Sequence, residues 1–92
     1  MIISFKCKDT QKLAEGYRVK RFINIERAAV RKIRQLQVAV QLSDLKIPPG
    51  NMLESLSGDR QGQHSIRINK QFRVCFRWSK MGAEDVEIVD YH

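Results

Sequence analysis

The chain has 92 residues, with 17 Lys or Arg against 10 Asp or Glu and a formal net charge of +7. That length suits one domain, residues 1–92, with core enough to fold without disulfide or metal staples, and the 42% hydrophobic content is spread along the whole chain, which argues against disorder. No apolar run approaches the roughly 18 residues needed to cross a membrane, MIISFKCKD at the N-terminus lacks a secretory apolar segment, and Cys7 and Cys75 do not form a disulfide framework; a cytoplasmic protein with no membrane partner is expected.

Met1 to Cys7 alternates, with Ile3, Phe5 and Cys7 on one face, and predicts a short strand. Asp9 or Thr10 is placed to cap a short helix that runs to about Glu15 and stops at Gly16. From about Phe22 to Gln41 the period becomes helical. Ile25, Ala29, Ile33, Leu36 and Val40 form an apolar stripe, and Lys20, Asn24, Arg27, Arg31 and Arg34 form a cationic one behind it. That back reads as a solvated face ahead of a binding surface.

Pro48-Pro49-Gly50-Asn51 fits neither a helix nor a central strand, so residues 42–51 form a connecting loop. Met52 to Leu56 is a short strand, and residues 57–62 are a turn. His64, Ile66 and Ile68 then alternate with Ser65, Arg67 and Asn69. After a turn at 69–71, Phe72, Val74, Phe76 and Trp78 face one way while Arg73, Cys75 and Arg77 face the other. Lys80 to Ala83 makes a final turn before Val86 to Val89. Strands joined by such short loops pair antiparallel. The expected class is α+β, with N-terminal helices packed on one face of a small antiparallel sheet.

The charge is unevenly placed. Residues 18–34 hold seven basic side chains and one acid, residues 60–80 hold six basic side chains and no acid, and the tail reverses sign with Glu84, Asp85, Glu87 and Asp90. On the expected fold Arg67, Arg73 and Arg77 lie on the sheet face that the helices leave open. A cationic surface on rigid strands suits a polyanion such as RNA, although strand arginines also serve simply to keep an exposed sheet soluble. Cys7, His64, Cys75 and His92 lack paired metal-ligand spacing, and neither a phosphate loop nor a dinucleotide fingerprint occurs, so no metal and no cofactor is expected. His64 shares a face with Ile66 and reads as structural.

Several longer stretches are more specific: Pro48-Pro49-Gly50-Asn51 followed by Leu53-Glu54-Ser55-Leu56-Ser57-Gly58-Asp59-Arg60, then Gly62 to Asn69, Phe72-Arg73-Val74-Cys75-Phe76-Arg77-Trp78, and the ending Val86 to His92. Together with the N-terminal MIxSFxC pattern, they resemble the HigB-type toxins, the plasmid-maintenance killer proteins of the RelE superfamily. The resemblance implies two helices on an antiparallel sheet. It also implies a ribosome-dependent endoribonuclease that cuts translated mRNA in the decoding site and is neutralised by a helix-turn-helix antitoxin of HigA type. Operator DNA would be reached only through that antitoxin.

By the same resemblance, Arg73 matches the strand arginine beside the scissile phosphate, Tyr91 and His92 match a functional C-terminal pair, and Asp90 precedes them as in close relatives. Two positions depart from some relatives: Ser57 stands where they carry Lys, and Glu54 where they carry His. These departures keep open a second reading, a catalytically weak RNA- or ribosome-binding module that acts mainly with its antitoxin in operon repression. Chemically, Arg73 can stabilise phosphorane charge with Arg67 as a second clamp. His92, with an ordinary pKa of ~6.5, is the natural acid or base, whereas Tyr91, at ~10, stacks on a base or orients the 2′-hydroxyl. Arg60, Arg77 and Asp90 complete the expected RNA-binding set. Bland rivals exist: Tyr91 capping the sheet edge, and Asp90 pairing with a nearby Arg.

Overall fold

In the computed structural model, which describes residues 1–91, helices occupy the first half of the chain and the sheet the second. The helices are α1 (Lys8–Ala14) and α2 (Glu26–Val38), and the strands are β1 (Glu54–Ser55), β2 (His64–Arg67), β3 (Phe72–Ser79) and β4 (Gly82–Asp90). The strands lie in sequence order and pair antiparallel throughout. Ile66, Val74, Phe76 and Ile88 fill one sheet face, and α2 lays Ala29, Ile33 and Leu36 among them in a core that also takes Leu13, Phe22 and Ile25. The α+β arrangement is the expected one. No helix among the described residues is long and apolar enough to cross a membrane.

Three local expectations are corrected. The N-terminal segment does not form a full strand; it runs parallel to β4 through isolated bridges at Ile2–Ala83 and Phe5–Val86. Ile2 and Phe5 pack against the core, and Ile3 is 41% exposed. The alternation fails because Asp85 takes a left-handed conformation, φ 53°, with its amide donating to Ser4 Oγ at 2.9 Å, so the two bridges are three residues apart rather than two.

The second correction concerns α1, which begins at Lys8 with Cys7 as its uncapped N-terminal neighbour. Asp9 instead pairs with Arg21 at 2.8 Å. Thr10 is fully buried, its Oγ1 accepting the Ile88 amide at 3.0 Å on the outer edge of β4. Both polar side chains thus do long-range work rather than capping.

The third is the long helix. Residues Lys20–Ile25 wind as a 3₁₀ turn before α2, and Ala39 turns extended after it, leaving Val40 outside the stripe and 82% exposed. The Asp44 carboxylate caps the following 3₁₀ turn, Leu42–Lys46, by accepting the amides of Gln41 and Val40 at 3.0 and 2.9 Å, and those bonds hold its pKa below the ordinary value.

Between α2 and β1, buried Asn51 ties the loop to the helix. Its Nδ2 donates to Gln35 Oε1 at 2.8 Å and to the Leu45 and Ile47 carbonyls, and its Oδ1 accepts from buried Lys32. Desolvation, and then the neighbouring Arg31 charge, lower the Lys32 pKa.

Gly82 carries the seam between β4 and the N-terminus. Its φ is 137°, and a Cβ there would run into the Met1 carbonyl, which accepts the Ala83 amide at 2.9 Å. Gly82→Ala is therefore expected to detach the N-terminal segment. Hydrogen exchange at the Ile3 and Lys6 amides should accelerate well before the β2–β3 amides respond; unchanged protection would show that the seam tolerates the methyl group.

Candidate active site

The face of the sheet turned away from α2 is set by strand alternation. On β3 it carries Arg73, Cys75 and Arg77. The register opposes Arg73 with Arg67 on β2 and Val89 on β4, and Cys75 with Ser65 and Glu87. Two arginines directly across a strand pair repel each other, so the arrangement favours an anion between or above them.

Arg73 is the most constrained of these side chains. Its Nη1 donates to Ser65 Oγ at 2.6 Å and to the Met52 carbonyl at 3.5 Å, and its Nη2 reaches Glu54 Oε1 at 3.3 Å. The guanidinium carbon sits 5.7 Å from the centre of the Tyr91 ring. Only 12% of the side chain is exposed. The expected open, water-accessible arginine is therefore corrected to a seated one, with a fixed guanidinium plane.

Arg67 lies alongside. Its Nε donates to the Asn69 carbonyl at 3.1 Å and its Nη1 to Met52 Sδ at 3.3 Å. Met52, at φ 47°, thus offers its carbonyl to one arginine and its sulfur to the other.

Arg60 approaches from the Gly58–Arg60 turn and donates to Glu87 Oε1 at 2.9 Å and Gln63 Oε1 at 3.1 Å. The Glu87 hydrogen bond raises the Arg60 pKa further. Lys6 stands 3.9 Å from the same carboxylate. Cys75, on this face of β3, is wholly buried, and burial pushes its thiol pKa up, so it is no nucleophile. Four cations (Lys6, Arg60, Arg67, Arg73) against two carboxylates (Glu54, Glu87) leave this surface positive.

The other sequence-derived candidates are dispersed. Arg77 lies past a register shift between β3 and β4, where β4 carries the extra residue, and pairs with Asp85 at 3.7 Å without joining the Arg73 cluster. Asp90 opposes Phe72 at the end of β4, where Gln71 Nε2 donates to it at 3.1 Å, so it occupies the alternate face from Arg73. Tyr91 follows on the Arg73 side. His92 lies outside the described residues. His64 meets the Phe76 ring and the Ser55 hydroxyl and is structural, as read from the sequence. No group of three or more potential metal ligands occurs among the described residues.

Sequence reasoning marks Glu54 only as a departure from relatives and does not place Ser65, Met52 or Glu87 in the site. Alternation alone puts Ser65 on the face of Arg67 and Glu87 on that of Val89; nothing local announces that β1 will carry Glu54 to Arg73.

A two-strand arginine pair, an aromatic ring under one guanidinium and a carboxylate at its edge meet on this positive surface. The profile described as the RelE-like toxin of type II toxin-antitoxin system HigB matches residues 4–92. The chain belongs to the HigB family of RelE-like toxins. It is 44% identical over 80 residues to Toxin HigB-1 of Vibrio cholerae serotype O1, covering 85% of this chain and 84% of that one. It is also 33% identical over 55 residues to an uncharacterised protein of Haemophilus influenzae, covering 60% and 54% of the two chains. As a HigB toxin, it is one half of a toxin-antitoxin pair, with an antitoxin for partner and, by family, the activity of a nuclease.

Proposed function

We propose that this HigB protein is a ribosome-dependent endoribonuclease that cleaves translated mRNA without a metal. The observation that carries this reading is the seating of Arg73: a nearly buried guanidinium, oriented by Ser65 and Met52, faces Arg67 across the strand pair. Preorganised donors aimed at developing phosphate charge are the largest lever available for this reaction.

In the proposed step the 2′-oxygen attacks the adjacent phosphorus and the bond to the 5′-oxygen breaks, leaving a 2′,3′-cyclic phosphate and a 5′-hydroxyl. Arg73 and Arg67 hold the non-bridging oxygens. An incoming phosphate competes with Glu54 for Arg73 Nη2, releasing a carboxylate beside the reacting hydroxyl; Glu54 takes its proton. His92 supplies the proton to the 5′-oxygen, and Tyr91 stacks on a neighbouring base. Arg60 and Arg77 attract the flanking backbone, and Asp90 sets the exit of the chain toward Tyr91 and His92. The antitoxin is proposed to be a helix-turn-helix protein, and the action to lie in the decoding site, against ribosomal RNA.

The test is purified protein on translating ribosomes and on the same mRNA alone, with new 5′ ends mapped. Cuts confined to ribosome-covered codons are expected. Equal cutting of naked RNA would remove the ribosome dependence; binding without cuts in either would favour the repression module. Glu54→Gln should slow cleavage by about 10²–10⁴-fold. An unchanged rate would leave Glu54 only the task of holding Arg73.

A further inference from the structure

The outer face of α2 takes no part in the site described above. Arg27, Arg31, Arg34 and Val38 follow at spacings of four, three and four, opposite the buried Ala29, Ile33 and Leu36. With Glu26, whose carboxylate pairs with Arg18, and with Val30 and Gln35 they line a groove of ≈ 600 Å³. Val38 is 74% exposed there. Arg18, Arg21, Arg60, Arg73 and Arg77 each have a carboxylate partner, whereas Arg27, Arg31 and Arg34, like Arg67 on the sheet, have none among the described residues. No Asp or Glu occurs between Glu26 and Asp44.

A face that needed only solubility would interleave both signs, and like charges one turn apart repel along a helix. Three unpaired guanidiniums over roughly 10 Å of helix, with apolar side chains between and beyond them, point to an absent counterpart.

We propose that this groove seats an acidic amphipathic segment of the antitoxin, with its carboxylates on Arg27, Arg31 and Arg34 and its apolar side chains against Val30 and Val38. That a partner antitoxin exists rests on membership of the toxin family; where it docks and what chemistry it presents rest on α2. A nucleic-acid backbone would answer the arginines but leave the exposed Val38 uncovered. An acidic peptide with an apolar stripe answers both. The sheet lies between this groove and Arg73, so the docking surface is separate from the residues proposed to cut RNA.

The experiment is calorimetric titration of the cognate antitoxin into the purified toxin at low and high salt, using wild type, the triple variant R27E/R31E/R34E, and Val38→Asp. The triple variant should bind about a hundredfold more weakly and lose the salt dependence of the wild type. Val38→Asp should weaken binding at both salts. Growth arrest by either variant should persist while relief by co-expressed antitoxin is lost. All four side chains are solvent-facing, so melting curves should match wild type; if charge reversal unfolds the chain, R27Q/R31Q/R34Q gives the same readout. Undiminished antitoxin binding overturns the proposal. Undiminished binding with loss of growth arrest also overturns it and assigns the groove to ribosomal RNA. Failure of wild type itself to bind would sink the antitoxin partnership as well.

Discussion

Arg73→Ala should lower mRNA cleavage by about 10²–10³-fold, the usual cost of removing one preorganised donor from developing transition-state charge. The structural reason is the number of groups that aim this guanidinium: Ser65 Oγ, the Met52 carbonyl, Glu54 and the Tyr91 ring. Arg73→Lys separates charge from geometry, since an ammonium keeps the sign but loses the planar fork, and it should recover only a minor part of the rate. Stability should fall modestly. Ser65 is wholly buried and loses its partner, costing about 1 kcal/mol, or about 4–8 °C in melting temperature for a chain of this size. Ribosome co-sedimentation should persist. Cleavage at the wild-type rate by Arg73→Ala would refute the assigned role.

The second large effect is expected far from that surface. Asn51→Ala should destabilise the fold by about 3 kcal/mol, because one truncation strands several buried groups at once. The Leu45 carbonyl and Gln35 lose a donor, and the Lys32 ammonium is left buried without an acceptor. Thermal unfolding should shift down by about 12–24 °C.

Lys32→Met in the Asn51→Ala background should recover part of the loss by removing the stranded charge. In the otherwise native chain, the lowered Lys32 pKa has a sign that can be checked. Between its folded value and the ordinary 10.5, the unfolded chain binds more protons, so stability attributable to Lys32 rises with pH across that window. The difference between wild-type and Lys32→Met denaturation curves should show that rise; a flat difference would mean that Lys32 is solvated.

The elements that could be read from local pattern are those whose neighbours in sequence are also their neighbours in space. β2 and β3 alternate cleanly, their connection is short, and the opposition of Arg67 to Arg73 follows from parity once the turn at 69–71 is placed. The apolar stripe of α2 was equally plain. The illegible parts depend on distant partners. Thr10 looks like a helix cap but serves the edge of β4, and Asn51 looks like a turn residue but is the buried tie between a loop and α2. The N-terminal segment loses its alternation, with Ile2 and not Ile3 joining Phe5 against the core, because Asp85, at the other end of the chain, leaves the extended conformation. Arg73 could be picked out as a candidate through the family resemblance. Its burial could not, because Glu54 reaches it only after β1 has paired with β2.

The parallel seam between the N-terminal segment and β4 also governs when the protein can exist. The Asp85 amide meets the Ser4 hydroxyl across 81 residues of chain, and Thr10 waits for Ile88. Closure of such long loops comes late in folding. During synthesis, α1 and α2 emerge with their inner stripe uncovered and no sheet to receive it. The arginine pair forms only once β3 has been made, and the seam only after Val86. A nascent fragment therefore has neither the edge contacts that hold the sheet nor the aromatic ring that stands beside Arg73.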